Sequence, residues 1–97
     1  IVYLHGPGHT LELIEYLAPP DRSEVRPRPC DVGFAHIAFD VEDIDAIVTL
    51  ALEHDVHPIG QITTVDQGPN QGGKAVYLRD PDGITVELIQ KPVTSRC

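Results

Sequence analysis

The sequence predicts an α+β fold built from a repeated, strand-rich unit, and two observations support that prediction. The first is a strand–turn–strand stretch at residues 75–90, where apolar residues alternate with others beyond an Asp-Pro-Asp-Gly turn. The second is a similar stretch at residues 2–14. Because an internal repeat reveals the architecture of a chain, we expect two copies of one supersecondary unit, each ending in a hairpin.

The two hairpins match around a glutamate in the last strand. Val-Tyr-Leu at residues 2–4 corresponds to Val-Tyr-Leu at residues 76–78, and Glu12 corresponds to Glu87. A charge within an apolar strand has to face water, a cation, a donor or a metal. One such glutamate is compatible with a solvated strand face, whereas two at matched positions suggest a site shared between the copies.

Residues 34–91 are predicted to form one complete βαβββ module. A first strand at 34–41 would place Ile37, Phe39 and Val41 on its apolar face and His36 on the other. A weak strand at 56–65 and a glycine-rich loop at 67–73 then lead to the last hairpin, in which Ile84, Val86 and Leu88 share one face.

A single helix is expected inside this module. Asp43 has the chemistry of an N-cap, and Asp45 lies in the first turn, where the helix dipole favours an anion. Apolar residues recur at i, i+3, i+4 and i+7 from Ile44 to about His54. We expect this helix to pack on the apolar face of the first strand.

The first module is predicted to be incomplete in this chain. Strands are predicted at 1–5 and 9–17, so residues 1–17 form only its C-terminal hairpin. Residues 18–33 hold four prolines and mixed charge, which is typical of an extended linker, and residues 92–97 form a tail. By the repeat, roughly 40 residues carrying a strand, a helix and another strand belong before residue 1.

Composition excludes several classes of protein. The chain has 97 residues and a formal charge of −8, which argues against a nucleic-acid partner. We expect no membrane partner, because no apolar run approaches spanning length, and no signal peptide is visible. Cys30 and Cys97 make no disulfide framework, so a cytoplasmic location is predicted.

Three side chains are candidates for a metal site: Glu12, His36 and Glu87. Imidazole and carboxylate ligands suit one divalent ion such as Zn²⁺, Ni²⁺, Mn²⁺, Fe²⁺ or Co²⁺. A histidine considered alone is more often hydrogen-bonded in a core or at an edge, and the matched glutamates are what favour the metal. The remaining histidines are expected to be surface residues: His5, His9, His54 and His57.

The second half of the chain resembles the vicinal oxygen chelate superfamily, which includes glyoxalase I, bleomycin-resistance proteins, extradiol dioxygenases and methylmalonyl-CoA epimerase. The similarity runs from about His9 to the end and is carried by three segments: Ala35-His36-Ile37-Ala38-Phe39, Val41-Glu42-Asp43-Ile44-Asp45, and Val76 to Leu88 with its Asp-Pro-Asp-Gly turn. It is nearest the glyoxalase-like and epimerase branches. The resemblance implies paired βαβββ modules that form a cup around one metal, with two ligands from each module.

Carried over by position, the resemblance makes His36 and Glu87 the ligands of the second module and Glu12 the second ligand of the first. It implies a lyase, isomerase or epimerase that transfers a proton beside a carbonyl or thioester, with the metal stabilising the enolate. Glu87 or Glu12 would be both ligand and base. An extradiol dioxygenase is an alternative, although such enzymes usually use two histidines and one glutamate.

A non-catalytic protein that binds a drug or metabolite in the same cup is the third alternative. In each case the expected partner is a small molecule. A homodimer is also expected, both from the resemblance and because the opening hairpin exposes unpaired strand edges.

Overall fold

The computed structural model describes residues 1–92; residues 93–97, with most of the predicted tail and Cys97, lie outside the described part. The described chain contains seven strands and one helix. In chain order they are β1 Val2–Gly6, β2 His9–Leu13, β3 Ile37–Asp40, α1 Ile44–Glu53, β4 His57–Pro58, β5 Thr63–Thr64, β6 Lys74–Arg79 and β7 Thr85–Gln90.

The sequence repeat is also a repeat of strand pairing. In the first hairpin β1 and β2 pair antiparallel, with Tyr3 opposite Glu12. In the last hairpin β6 and β7 pair antiparallel, with Tyr77 opposite Glu87. The turn of the last hairpin is one residue longer than that of the first, but the register around the glutamate is the same. Each glutamate therefore faces the equivalent tyrosine.

The last hairpin is the centre of a five-stranded sheet. The strand order is β3-β7-β6-β4, and β5 also pairs with β6. Strand β3 runs parallel to β7, with Ala38 opposite Glu87, whereas β4, β5 and β7 are antiparallel to β6. The first hairpin forms a separate two-stranded sheet.

The helix begins as predicted. The Asp43 side chain accepts a hydrogen bond from the Ala46 N–H at 3.2 Å, which makes it the N-cap. The Ile44 N–H, a free donor of the first turn, donates to Oε1 of Gln90 on β7 at 2.9 Å. This second bond ties the helix start to the sheet. Within residues 1–92, no helix is long and apolar enough to cross a membrane.

A small core lies between the helix and one face of the sheet. Its buried residues are Ile44, Val76, Leu78 and Leu88. Full burial of an aliphatic side chain of this size contributes about 1.5–3 kcal/mol, so these four dominate the packing. Partly buried residues surround them: Phe39, Val41, Ile47, Val48, Ala51, Val56, Ile62 and Val86. The opposite face of the sheet, which carries Tyr77 and Glu87, is called the open face below.

Two expectations about the apolar faces need correction. Ile37 was expected to pack under the helix, but it is 43% exposed, because it lies at the opposite end of β3 from the helix start. Ile84 was expected to share the core face of Val86 and Leu88. It precedes β7 and is 54% exposed, because it lies beyond the end of the strand.

Three predicted strands are longer than the structure shows. Strand β2 ends at Leu13, whose partner is Val2, the first residue of β1. Strand β3 starts at Ile37, after a turn that includes residues 31–33. The segment 56–65 forms two short strands, since residues 60–62 leave the ladder after the Ile59 N–H donates to the Tyr77 carbonyl oxygen at 2.8 Å.

The proline-rich segment is extended, as expected, and its second half is fastened to the last hairpin. No helix or strand occurs between residues 14 and 36 of the described chain. The Arg26 guanidinium donates to the Pro81 carbonyl oxygen at 2.9 Å. The Arg79 guanidinium donates to the Pro27 carbonyl oxygen, also at 2.9 Å. We call these two bonds the arginine clasp.

Candidate metal and active site

His36 and Glu87 meet on the open face of the sheet. Glu87 lies opposite Ala38, and His36 is two residues before Ala38, so the alternation of side chains brings both to one face. Nε2 of His36 and Oε1 of Glu87 are 3.0 Å apart, with side chains 30% and 18% exposed. Because a carboxylate oxygen only accepts, Nε2 carries the proton in this hydrogen bond.

Two aromatic rings flank the imidazole of His36. The ring of Tyr77, directly opposite Glu87, meets it edge to face, with centroids 5.2 Å apart and an interplanar angle of 79°. The ring of Phe34 lies 5.7 Å away at 32°. We call Phe34 and Tyr77 the aromatic bracket.

A cavity of about 260 Å³ adjoins Tyr77. Its wall is mostly apolar, and Gln61 and Thr63 are its polar side chains. The lining residues are Pro29, Ile59, Gly60, Gln61, Thr63, Ala75, Val76 and Tyr77. Tyr77 therefore borders both the His36–Glu87 pair and a space large enough for part of a small ligand.

Glu12 is not brought to this pair. It is exposed on β2 and lines a different cavity, of about 500 Å³, together with Ile37 and Ile84. Within residues 1–92, no group of three or more His, Cys, Asp or Glu side chains is placed to hold one ion. The expected convergence of Glu12, His36 and Glu87 therefore does not occur in the described chain. The physical reason is that the first hairpin shares no strand pairing with the five-stranded sheet.

The other histidines are engaged locally on the surface, as expected for them. His5 hydrogen-bonds Thr10 through Nδ1 at 3.2 Å, across the first hairpin. His9 donates to the carbonyl oxygen of Pro7 at 2.9 Å. His57 contacts the Asp55 carboxylate at 2.6 Å, and His54 is the C-cap of the helix.

The donor atoms of His36 and Glu87 fit a divalent ion. Imidazole nitrogen and carboxylate oxygen are ordinary ligands of the metals predicted above. Two donors bound to one ion at roughly 2.0–2.2 Å lie about 2.8–3.6 Å apart, for angles from a right angle to the tetrahedral angle. The observed separation of 3.0 Å is of that size, so these two side chains could bind one ion with little rearrangement.

Sequence reasoning missed the aromatic bracket, although the signal was present. Tyr77 stands at the position that hairpin register places opposite Glu87, and Phe34 is two residues before His36. Period-2 alternation from Ala38 back to Phe34 would have placed that ring on the face of His36.

A strand–helix–strand unit that ends in a hairpin defines a class of α+β modules. The family comparison agrees. Residues 1–88 match the model of the Glyoxalase/Bleomycin resistance protein/Dioxygenase superfamily, and the chain belongs to this superfamily.

Individual relatives point to two named activities. The chain is 40% identical over 88 residues to a 2-epi-5-epi-valiolone epimerase of Actinomyces sp, covering 90% of this chain and 48% of that protein. It is 38% identical over 64 residues to the lactoylglutathione lyase GLX1 of Arabidopsis thaliana, covering 64% of this chain and 21% of that protein. The chain thus spans half or less of the length of these relatives.

A solved structure has the same fold. A glyoxalase family protein from Bacillus cereus superimposes with a TM-score of 0.63 at 28% identity, covering 79% of this chain and 50% of that one. The α+β glyoxalase-type fold expected from the sequence is confirmed.

Proposed function

We propose that this chain is part of a metal-dependent enzyme that transfers a proton at the carbon beside a carbonyl or thioester of a small substrate. The observation that carries the proposal is the 3.0 Å approach of His36 and Glu87 on the open face of the sheet. An imidazole and a carboxylate held this close can share one cation, and the carboxylate can also accept a proton.

The similarity to an epimerase and to a lactoylglutathione lyase supports this class of reaction over ring cleavage. When bound, a divalent ion would polarise the substrate carbonyl and offset the negative charge that develops on its oxygen. His36 and Glu87 would hold that ion, and the assignment of Glu12 as a further ligand stays a prediction. The chain's own chemical contribution is Glu87, whose second oxygen accepts no hydrogen bond within residues 1–92 and would take the proton from carbon.

The apo hydrogen bond and metal binding use the same atoms. Nε2 of His36 carries a proton while it donates to Glu87, and a nitrogen that binds a metal carries none. Metal binding therefore requires that the His36 proton leaves Nε2 for Nδ1 or for solvent. We expect Zn²⁺ to convert the imidazole ¹⁵N pattern of His36 from the Nε2–H form to the Nδ1–H form.

The decisive experiment compares His36→Ala, Glu87→Gln and His54→Ala with the unchanged chain. Each protein is incubated with Zn²⁺, Ni²⁺, Mn²⁺, Fe²⁺ or Co²⁺ and desalted, and its metal content is measured by elemental analysis. Loss of metal is expected for His36→Ala and Glu87→Gln, while the control His54→Ala should keep it. Circular dichroism checks folding. If His36→Ala keeps its metal, the assignment of His36 is wrong, and the proposed site with it.

Further measurements on the same proteins distinguish the alternative functions. Oxygen uptake with catechols would indicate a ring-cleaving dioxygenase, whereas exchange of a substrate C–H for deuterium indicates proton transfer. A protein that binds small ligands but never a metal would be a binding protein. A homodimer remains a proposal, and sedimentation that finds only monomer at tens of micromolar, on the order of ordinary interface Kd values or above, would contradict it.

A further inference from the structure

His36 comes just before strand β3, and its side chain lies on the open face of the sheet. Strand β3 begins at Ile37, so the backbone of His36 is not held by the sheet ladder. In the described chain its side chain is 30% exposed and contacts Glu87, Phe34 and Tyr77. A histidine in this position depends on side-chain contacts for its rotamer.

One of those contacts is lost when the pair binds a cation. A cation held by both side chains takes the place of the hydrogen bond between Nε2 and Oε1, which are 3.0 Å apart. The contacts with the aromatic bracket then remain to orient the imidazole. Edge-to-face packing is the geometry that aromatic rings prefer, and Tyr77 meets His36 at 79° with a centroid distance inside the favourable range.

We propose that Tyr77, assisted by Phe34, is a positioning residue that holds the His36 imidazole in its metal-binding orientation. The inference rests on the proposed function of the His36–Glu87 pair. It assigns the role to the ring and not to the phenol group, because the contact that the structure shows is between the two rings.

The chain contains a matched control for this role. Tyr3 occupies the repeat-equivalent position and lies opposite Glu12, as Tyr77 lies opposite Glu87. In the described chain, the aromatic contacts of histidine involve His36 alone. Replacing Tyr3 therefore removes a tyrosine from the same kind of hairpin without touching the imidazole.

The test uses Tyr77→Phe, Tyr77→Leu, Phe34→Leu and Tyr3→Leu, with two readouts. The first is the Kd for Zn²⁺, measured by competition with a chromogenic chelator. The second is the ¹⁵N and ¹³C side-chain spectrum of His36 without metal, and the midpoint of urea unfolding reports folding. Tyr77→Leu should raise the Kd roughly threefold to tenfold, the effect expected from loss of one aromatic pair. Phe34→Leu should raise it less, while Tyr77→Phe and Tyr3→Leu should not change it.

Two results would overturn the proposal. One is a Tyr77→Leu protein with the wild-type Kd and an unchanged His36 spectrum. The other is an equal loss in Tyr77→Phe, which would assign the effect to the hydroxyl. If Tyr77→Leu does not fold, Phe34→Leu decides by the same criteria. If the unchanged chain binds no Zn²⁺, the proposed function fails separately. The test then uses the side-chain spectrum of His36 without metal. Only substitutions within the aromatic bracket should change this spectrum.

Discussion

Leu4 and Leu78 are the same residue at the same place in the two hairpins, but their surroundings differ. Leu78 on β6 is 1% exposed under the helix, whereas Leu4 on β1 is 49% exposed. Replacing each in turn by alanine removes identical atoms from equivalent strands. The difference between the two losses of stability therefore measures what the helix adds to one hairpin.

The expected magnitudes follow from burial. Leu78→Ala deletes a buried side chain and leaves a cavity, so it should cost about 2–5 kcal/mol. Leu4 is buried by only about half, and full burial of a leucine is worth about 1.5–3 kcal/mol. Leu4→Ala leaves no closed cavity, so it should cost about 1 kcal/mol at most.

Urea unfolding followed by circular dichroism measures both values, with the midpoint and the slope fitted for each variant. The experiment should be run at two protein concentrations that differ tenfold. If Leu4→Ala costs as much as Leu78→Ala, then another surface covers the β1–β2 hairpin in solution, and the small loss expected from the exposure of Leu4 is refuted. A midpoint that rises with concentration would identify a second copy as the cover.

Three further changes test local features. Gln90→Ala removes the acceptor of the Ile44 N–H and should cost about 0.5–2 kcal/mol of unfolding free energy, read from the urea midpoint. Gly73→Ala places a Cβ against the backbone oxygen of Gln90 and should cost about 1–3 kcal/mol or more. The Arg28 side chain, then its backbone N–H, lowers the pKa of Asp31 by hydrogen bonding, so Arg28→Ala should raise that pKa in a carboxyl ¹³C titration.

Each of these changes has its own control or sign. Gly60→Ala is the control for Gly73, because a Cβ there meets nothing within 4 Å, and equal losses would contradict the steric argument. Gln71→Ala, in the exposed loop, is the control for Gln90. For Asp31, a lowered pKa in the folded state means that the ionised side chain stabilises the fold. This stabilisation is fully present above the usual carboxyl pKa. It is lost as the pH falls through the lowered value. An Asp31 titration that Arg28→Ala leaves unchanged would rule out this cause.

Elements defined by local pattern could be predicted, and elements defined by distant partners could not. The helix from Ile44 follows from its N-cap and its apolar period, which are properties of neighbouring residues. The end of β2 at Leu13 depends on where β1 begins, and the division of segment 56–65 depends on how β6 accepts each half. The sequence of a strand does not show where its neighbouring strand stops pairing with it. The predicted strands therefore extended beyond their last paired residues.

The candidate site divides in the same way. His36 and Glu87 could be placed together because both alternate within one module. Glu12 obeys the same alternation inside its own hairpin, but no strand pairing relates that hairpin to the sheet. The distance of Glu12 from the His36–Glu87 pair therefore depends on the conformation of the linker. Neither the residue pattern nor the composition of the linker specifies that conformation.

The arginine clasp has a consequence for how the β1–β2 hairpin finds a partner surface. Without it, the hairpin would be tethered through residues 14–36, a span of 23 residues; with Arg26 fastened, only the 12 residues 14–25 remain free. Effective concentration falls roughly as the −3/2 power of tether length, so the clasp raises the local concentration of the hairpin at the sheet between twofold and threefold. The two arginines thus shorten the free tether that joins the hairpin of Glu12 to the sheet.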